Sequence, residues 1–509
     1  MSTQHSPVTG DIVIHSSDTS TPNGSASNGS SHHLTETNGV SLAQSTSQST
    51  LGSGLNGTAP FDGHSALSID WSQASPQFAS LRERLVNRTA TIGVLGMGYV
   101  GLPLTMAFSG AGFRTIGFDT NARTVEALGR GESHIGDIPA ATVAQMRVDD
   151  AFRATTDFSL LGECDVAIIC VPTPLTATRD PDLSAVRNAA SAIAASLRPG
   201  QLIVLESTTY PGTTDEEVRP LLETTGLQAG RDFFLAFSPE RIDPGNTKFP
   251  IHEVPKVVGG HTAACGELAR ELYACVVQQP VMVSSTQAAE LTKLLENIFR
   301  CVNIALVNEM TMLCDRMNID IWEVIDAAAT KPYGFTKFLP GPGLGGHCIP
   351  IDPFYLSWKA RQFQFQTNFI ELAGEVNGAM PRYVVDKIMR ALNDDGKAVK
   401  GARVGLLGMS YKANVGDCRE SPSLHIAELL LELGAEISYH DPYVESVRIA
   451  DETFQSQSLE TVLEGDCVVL LTNHRDYDYN AIAHRARVIV DTRNAFKDVK
   501  GSPAKIIKI

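Results

Sequence analysis

Twice in this chain an apolar strand runs into a glycine-bearing turn, then a helix, then a second strand that stops on an aspartate. Residues 89–121 read TATIGVLGMGYVGLPLTMAFSGAGFRTIGFDTN, and residues 401–442 read GARVGLLGMSYKANVGDCRESPSLHIAELLLELGAEISYHDP. IGVLGMG pairs with VGLLGMS, and GFDTN pairs with SYHDP. Further apolar runs, DVAIICV (165–171), QLIVLES (201–207) and FFLAFS (233–238), read as buried strands separated by Ala- and Leu-bearing helical stretches. Strands apolar on both faces need helices on both faces, which is the arrangement of a parallel α/β sheet. From Gln287 to Met317 the period changes. Leu291, Leu294, Leu295, Ile298, Val302, Ala305 and Leu306 recur at helical spacing and predict one long amphipathic helix, a connector or a dimerisation element. The fold class is therefore α/β: two Rossmann-like doubly wound domains joined by a long central helix.

Composition sets the boundaries. Residues 1–60 hold 34 Ser, Thr, Asn or Gly and only three charges (Asp11, Asp18, Glu36), too little apolar surface to offset the entropy of ordering. The expected division is a disordered tail over 1–86, a first Rossmann domain over 87–284, a central helical region over 285–396 and a second Rossmann-like domain over 397–509. With 41 Lys and Arg against 57 Asp and Glu, the net charge of −16 argues against a nucleic-acid partner or a membrane held by charge. No apolar run approaches the ~20 residues of a membrane span. Nine cysteines are scattered without a C-x-x-C pair or a metal-ligand spacing, so no metal is expected and a reducing compartment is. The opening MSTQHSPVTG lacks a basic start followed by an apolar core, and the first basic residue is Arg82, so the expected location is cytoplasmic.

The first glycine turn carries chemistry. Gly96-Met97-Gly98-Tyr99-Val100-Gly101 follows a strand and opens a helix, and the next strand ends in Asp119, 18 residues beyond Gly101. The first glycine allows the turn, the second lets backbone approach a pyrophosphate, and the third lets helix and strand pack closely. The helix N-terminus then faces the phosphates. Asp119 would bond the adenosine ribose hydroxyls and disfavour a 2′-phosphate, so the cofactor expected is NAD. Arg123 either lies over the adenine or is solvated. The second copy has lost the later glycines and is not expected to hold a dinucleotide.

Cys348 sits in PGPGLGGHCIPIDPFYL, where glycine and proline exclude a helix or strand interior. Asp352-Pro353 reads as the N-cap and first-turn proline of a new helix. A thiol just before a helix N-terminus should ionise more readily, although an inert loop cysteine fits the composition equally. Lys293 and Asn297 lie four apart on one face of the long helix, either a solvated stripe or a pair aimed into a cleft.

Together these residues resemble the UDP-glucose/GDP-mannose dehydrogenase family. The resemblance runs in order through GMGYVGLP, VPTP (171–174), STTYPGTT (207–214), SPER (238–241), ELTKLLEN (290–297), GGHCIPID (345–352) and GMSYKANVGDCRESP (408–422). It implies oxidation of a sugar C6 alcohol to a carboxylate with two NAD⁺ in succession, through a thiohemiacetal and a thioester on Cys348. Lys293 and Asn297 would stabilise the oxyanion, and Asp352 would assist proton transfer or orient water. Thr209 and Glu240 would position water and pass protons. Thr173 and Arg419 match cofactor contacts, and Lys412 and Arg493 match contacts to the nucleotide sugar. The resemblance also implies sharing of the long helix in a homodimer or larger homo-oligomer.

Departures bear on the substrate. UDP-glucose and GDP-mannose members typically have Gly-Gly-Ser-Cys and a lysine before the aspartate, where this chain has His347 and Ile351. Pro244 stands where UDP-glucose members typically carry a second glutamate. The set, with Gly345 and Arg241 beside the sugar, is similar to the branch acting on UDP-N-acetylhexosamines, and the run PFYLSWK most of all to UDP-N-acetylglucosamine 6-dehydrogenases. Alternatives are UDP-glucose, UDP-N-acetylgalactosamine or UDP-N-acetylmannosamine as substrate, a single-step hydroxyacid-type dehydrogenase, or an inactive nucleotide-sugar sensor.

Overall fold

The structure, a computed structural model, describes residues 75–135, 138–148, 151–176, 178–241, 249–346 and 348–509. Residues 1–74 of the tail expected over 1–86, together with Pro244 and His347, lie outside the described residues. The rest of that span is helical. A helix over Pro76–Val86, capped by the Ser75 side chain, buries Phe78, Leu81 and Leu85. Phe78 meets the ring of Phe234 edge-on, and Arg84 pairs with buried Asp165 at 2.6 Å. The leading helix therefore belongs to the first domain; its three apolar residues recur at helical spacing, a local signal lost beside the polar tail.

The first sheet has eight strands: β1 (Thr91–Leu95), β2 (Arg114–Phe118), β3 (Phe152–Thr155), β4 (Val166–Ile169), β5 (Leu202–Leu205), β6 (Phe234–Phe237), β7 (Lys256–Gly260) and β8 (Pro280–Val283). Their order is β3-β2-β1-β4-β5-β6-β7-β8, all parallel except the β6–β7 pair. The first six strands run in the doubly wound order, with the reversal between β1 and β4. Two cores, one on each face, cover the sheet. The site residues then follow from strand ends: Gly96 after β1, Asp119 after β2, Thr173 after β4, Thr209 after β5 and Glu240 after β6.

The predicted long helix spans Thr286–Met317, 32 residues or about 48 Å, capped by Ser285. Its apolar positions divide between two faces rather than forming one. Leu294 and Ala305 are buried, whereas Leu291, Leu295 and Leu306 are exposed. The buried face packs on a second helix, Asn368–Asp394, where Asn308 bonds Asn377 in the core.

The second sheet takes β9 (Arg403–Leu407), β10 (Glu436–His440), β13 (Cys467–Leu470), β14 (Val488–Asp491) and β15 (Lys505–Lys508) in the order β10-β9-β13-β14-β15, all parallel. A hairpin of β11 (Ser446–Ile449) and β12 (Glu452–Gln455) stands apart from it. No helix among the described residues is long and apolar enough to cross a membrane.

Candidate active site

The glycine turn has three different environments for its three glycines. Gly96 adopts φ +94°, and a Cβ there would stand 2.5 Å from the Cys170 carbonyl. At Gly101 a Cβ would stand 1.8 Å from the Gly96 carbonyl. At Gly98 it would meet nothing within 4 Å, so this backbone faces open space. The helix that follows, Gly101–Gly110, starts at Val100 without a side-chain cap; the Leu102 amide donates to the Gly98 carbonyl and Pro103 has no N–H, so the amides open to an anion are those of the turn itself. Asp119 accepts from the Met97 amide at 2.9 Å and from Asn121 at 2.8 Å, holding its carboxylate against the turn. These features fit a bound dinucleotide pyrophosphate and ribose. Arg123 is exposed, its amide bonded to the Asn121 side chain. From the second domain, Arg419 places its guanidinium 5.1 Å from the centre of the Tyr99 ring, while a two-fold bond to Asp417 aims it.

The corresponding turn of the second domain is closed. Asp441 is fully enclosed and accepts from the Met409 and Ser410 amides and from His474. The His474 Nδ1 accepts from the Asn414 amide, so its proton sits on Nε2, which faces Asp441 and Ser410. One Asp441 carboxylate oxygen takes all three of its bonds from Met409, Ser410 and His474, and the other accepts from the Tyr443 amide at 2.8 Å.

The thiol loop meets the long helix. Lys293, Asn297 and Asp352 are buried, and the Asn297 amide donates to Asp352. Lys293 donates to the Glu240 backbone carbonyl at 2.5 Å, bringing the end of β6 to the same place. The two helical residues are thus aimed into a cleft and are not a solvated stripe. Asp352 is the first residue of helix Asp352–Arg361, but Ile351 holds the cap position and the Asp352 carboxylate turns to Asn297 instead of capping. The thiol departs from expectation too. Burial pushes Cys348 up to about 11, aided by Asp352 and opposed by Lys293, Arg300 and Arg419. Burial likewise raises Asp352 to about 7 against the pull of Lys293, Asn297 and Arg300.

Neighbouring elements complete the walls. Thr173 donates to the Thr208 carbonyl, and its own carbonyl accepts from Tyr355 of the thiol helix. The Thr209 hydroxyl is buried without a hydrogen-bond partner. Arg241 bonds Pro255 and Glu296. Gly345 and Gly346 lie against Tyr411, too closely for a side chain, which docks the thiol loop on the second domain next to Lys412. Arg493 donates to the Leu471 carbonyl and approaches Gly341; burial lowers it to about 10, as expected of a guanidinium deprived of water. Contacts thus join Lys293 to Glu240, Asn297 to Asp352 and Arg419 to the glycine turn.

Three domain models of the UDP-glucose/GDP-mannose dehydrogenase family match the chain in sequence: the NAD binding domain over residues 90–277, the central domain over 287–379 and the UDP binding domain over 405–498. The chain belongs to this family. It is an NAD-dependent nucleotide-sugar dehydrogenase. Protein CapL of Staphylococcus aureus is 35% identical over 394 residues, covering 76% of this chain and 91% of that protein. The UDP-N-acetyl-D-glucosamine 6-dehydrogenase of Pseudomonas aeruginosa is 34% identical over 413 residues, 80% of this chain and 96% of that one. The solved structure of the UDP-D-ManNAc dehydrogenase from Pyrococcus horikoshii superposes with a TM-score of 0.75 at 32% identity, covering 82% of this chain and 99% of that one.

Arg300 was not anticipated. It lies three residues after Asn297 and donates to the Asn297 side-chain oxygen, leaving the amide nitrogen to face Asp352. The signal was present in the spacing, since positions 293, 297 and 300 share one helical face. Arg300→Met is expected to lower kcat roughly tenfold to a hundredfold with little change in the sugar KM, because it frees the amide to turn. Steady-state kinetics check this; a change confined to KM would mean that Arg300 only binds substrate.

Proposed function

We propose that this chain oxidises the C6 alcohol of UDP-N-acetylglucosamine to the uronic acid in two successive hydride transfers, through a thiohemiacetal and a thioester on Cys348. The observation that carries the reading is the convergence of Lys293, Asn297 and Asp352 at the start of the thiol helix, against the end of β6. A single hydride transfer needs no thiol, whereas a covalent adduct holds an aldehyde for a second oxidation. Relatives named for N-acetylglucosamine and for N-acetylmannosamine are 34% and 32% identical, so identity does not separate the sugars. Ile351 and His347 favour an N-acetylhexosamine, and within that branch the run PFYLSWK favours the former.

NAD⁺ supplies the hydride acceptor for each oxidation. Thr209, whose hydroxyl lacks a protein partner, and Glu240 take the water and the proton that leaves the C6 hydroxyl. Cys348 then forms the C–S bond to the aldehyde, and its thiol proton passes to Asp352, whose carboxyl is raised to about 7 and so suits a base near neutrality. Lys293 and the Asn297 amide donate to the oxygen as negative charge develops there. After the second oxidation water adds to the thioester carbonyl, the C–S bond breaks and the thiol is restored. Arg241, Gly345, His347, Lys412 and Arg493 hold the nucleotide sugar. The nine cysteines, all free thiols, suit a reducing cytoplasm.

The test is NADH formed per sugar with each candidate nucleotide sugar limiting and NAD⁺ in excess. Two per UDP-N-acetylglucosamine, with little from UDP-glucose, is expected. One per sugar would reject the thioester route, and preference for another sugar would reject the substrate assignment.

The long helix also bears on assembly. Leu291, Leu295, Phe299, Leu306, Leu313 and Met317 are each more than two-fifths exposed along one side, a stripe that supports a homodimer built on this helix. The pair Leu295→Asp and Leu306→Asp is expected to convert the assembly to monomers in light scattering; an unchanged mass would place the interface elsewhere.

A further inference from the structure

Behind Glu240, inside the first domain, lies a charge cluster that the reaction scheme leaves unused. The Lys256 ammonium, at the start of β7, is buried 3.1 Å from a Glu206 carboxylate oxygen, 3.3 Å from the Pro239 carbonyl and 3.8 Å from a Glu240 carboxylate oxygen. It also lies 4.8 Å from the centre of the Tyr273 ring. The other oxygen of Glu206 accepts from the Tyr273 hydroxyl. Glu206 follows β5, Glu240 follows β6, and Tyr273 closes helix Ala263–Tyr273, so with β7 four elements contribute to one enclosed group.

One ammonium serves two carboxylates. Burying such a set is not an efficient source of stability, because desolvation cancels most of the attraction and apolar residues would pack as well. Its direct contact with Glu240 offers a use. We propose that Lys256, held by Glu206 and Tyr273, is a positioning residue that aims Glu240 and keeps it ionised for proton transfer. The inference rests on the proton-handling role given to Glu240 above.

The surrounding groups are consistent with that part. Burial raises Glu206 to about 7 despite the pull of Lys256. The Cys170 thiol and the Tyr273 hydroxyl, which also face the cluster, are both pushed up by burial and stay neutral. On its other side, Glu240 accepts from the Lys293 ammonium at its backbone carbonyl and from the Arg241 amide at a carboxylate oxygen, 2.7 Å away, while the Arg241 guanidinium bonds Pro255 and Glu296.

The test compares kcat/KM against pH for the full-length wild type, Glu206→Gln, Lys256→Arg and Lys256→Met, with saturating NAD⁺. Removing the ammonium should move the acid limb of the profile up by about one pH unit, since an opposite charge at this range shifts a carboxylate by roughly that much or more. It should also lower kcat about tenfold or more. Removing the rival carboxylate should move the same limb down, while arginine should restore the wild-type profile. A merely structural role has no reason to give opposite shifts. A limb that stays in place, or moves the same way in both variants, overturns the inference. Should Lys256→Met fail to fold, Glu206→Gln decides alone, since it keeps the side-chain shape and an acceptor for Tyr273; no downward shift then overturns it. Wild-type protein that forms no NADH from any nucleotide sugar would instead reject the functional reading itself.

Discussion

Cys348→Ala is expected to stop the reaction halfway, with acid formation falling roughly a thousandfold or more and NADH per sugar dropping from two to at most one. Neither Cys301 nor Cys170 suits the role. Cys301 is buried between the two long helices, and burial raises it to about 11; Cys170 faces the Glu206–Lys256 cluster and is raised by burial too. The aldehyde, no longer tethered, should be trapped by hydroxylamine in place of the acid. Product analysis with limiting sugar checks both. Acid formation within tenfold of wild type would mean that the thiol is a bystander and that the second oxidation proceeds through a hydrated aldehyde. Because burial holds Cys348 near 11 in the ligand-free chain, its alkylation should be slow at neutral pH and accelerate steadily as pH rises toward that value.

The second large effect separates two glycines that lie three residues apart. Gly98→Ala should leave folding untouched, because the added carbon meets nothing, and should weaken NAD binding about a hundredfold by standing where backbone must approach phosphate. Gly101→Ala should weaken NAD binding as much and also destabilise the fold, since the carbon would collide with the Gly96 carbonyl at 1.8 Å. Overpacking of this kind costs typically ~1–3 kcal/mol, or several degrees in Tm for a domain of this size. Calorimetric titration with NAD⁺ and thermal melts decide the matter. Equal melting losses in the two variants would show that Gly98 is there for packing, and tight NAD binding by Gly98→Ala would move the pyrophosphate away from this turn.

Much of this architecture depends on neighbours in sequence and was legible there. The strands β1, β4, β5 and β6 are short runs of Val, Ile, Leu and Phe bounded by turn residues, and the glycine turn is local chemistry between a strand and a helix. The long helix was legible from its period, but its two faces were not: Leu294 and Leu295 look alike in sequence, and only the packing of Asn368–Asp394 and the sheet decides which is covered. The electrostatic neighbours of the thiol were not local either: Lys293 and Arg419, which oppose the rise that burial imposes on Cys348, are distant from it in sequence.

By itself, the sequence determined the doubly wound sheet and the dinucleotide turn with its acidic partner, because each rests on backbone preferences and spacing within one or two elements. Only the tertiary structure decided how the site residues are charged and aimed. Arg300 orients Asn297, Arg419 crosses from the second domain to Tyr99, and Asp441 is consumed by His474. Lys256, Glu206 and Tyr273 meet behind Glu240 though up to 67 residues separate them. Electrostatic interactions act through space and strengthen as water is excluded, so their outcome is set by which distant elements fold together and not by the order of residues along the chain.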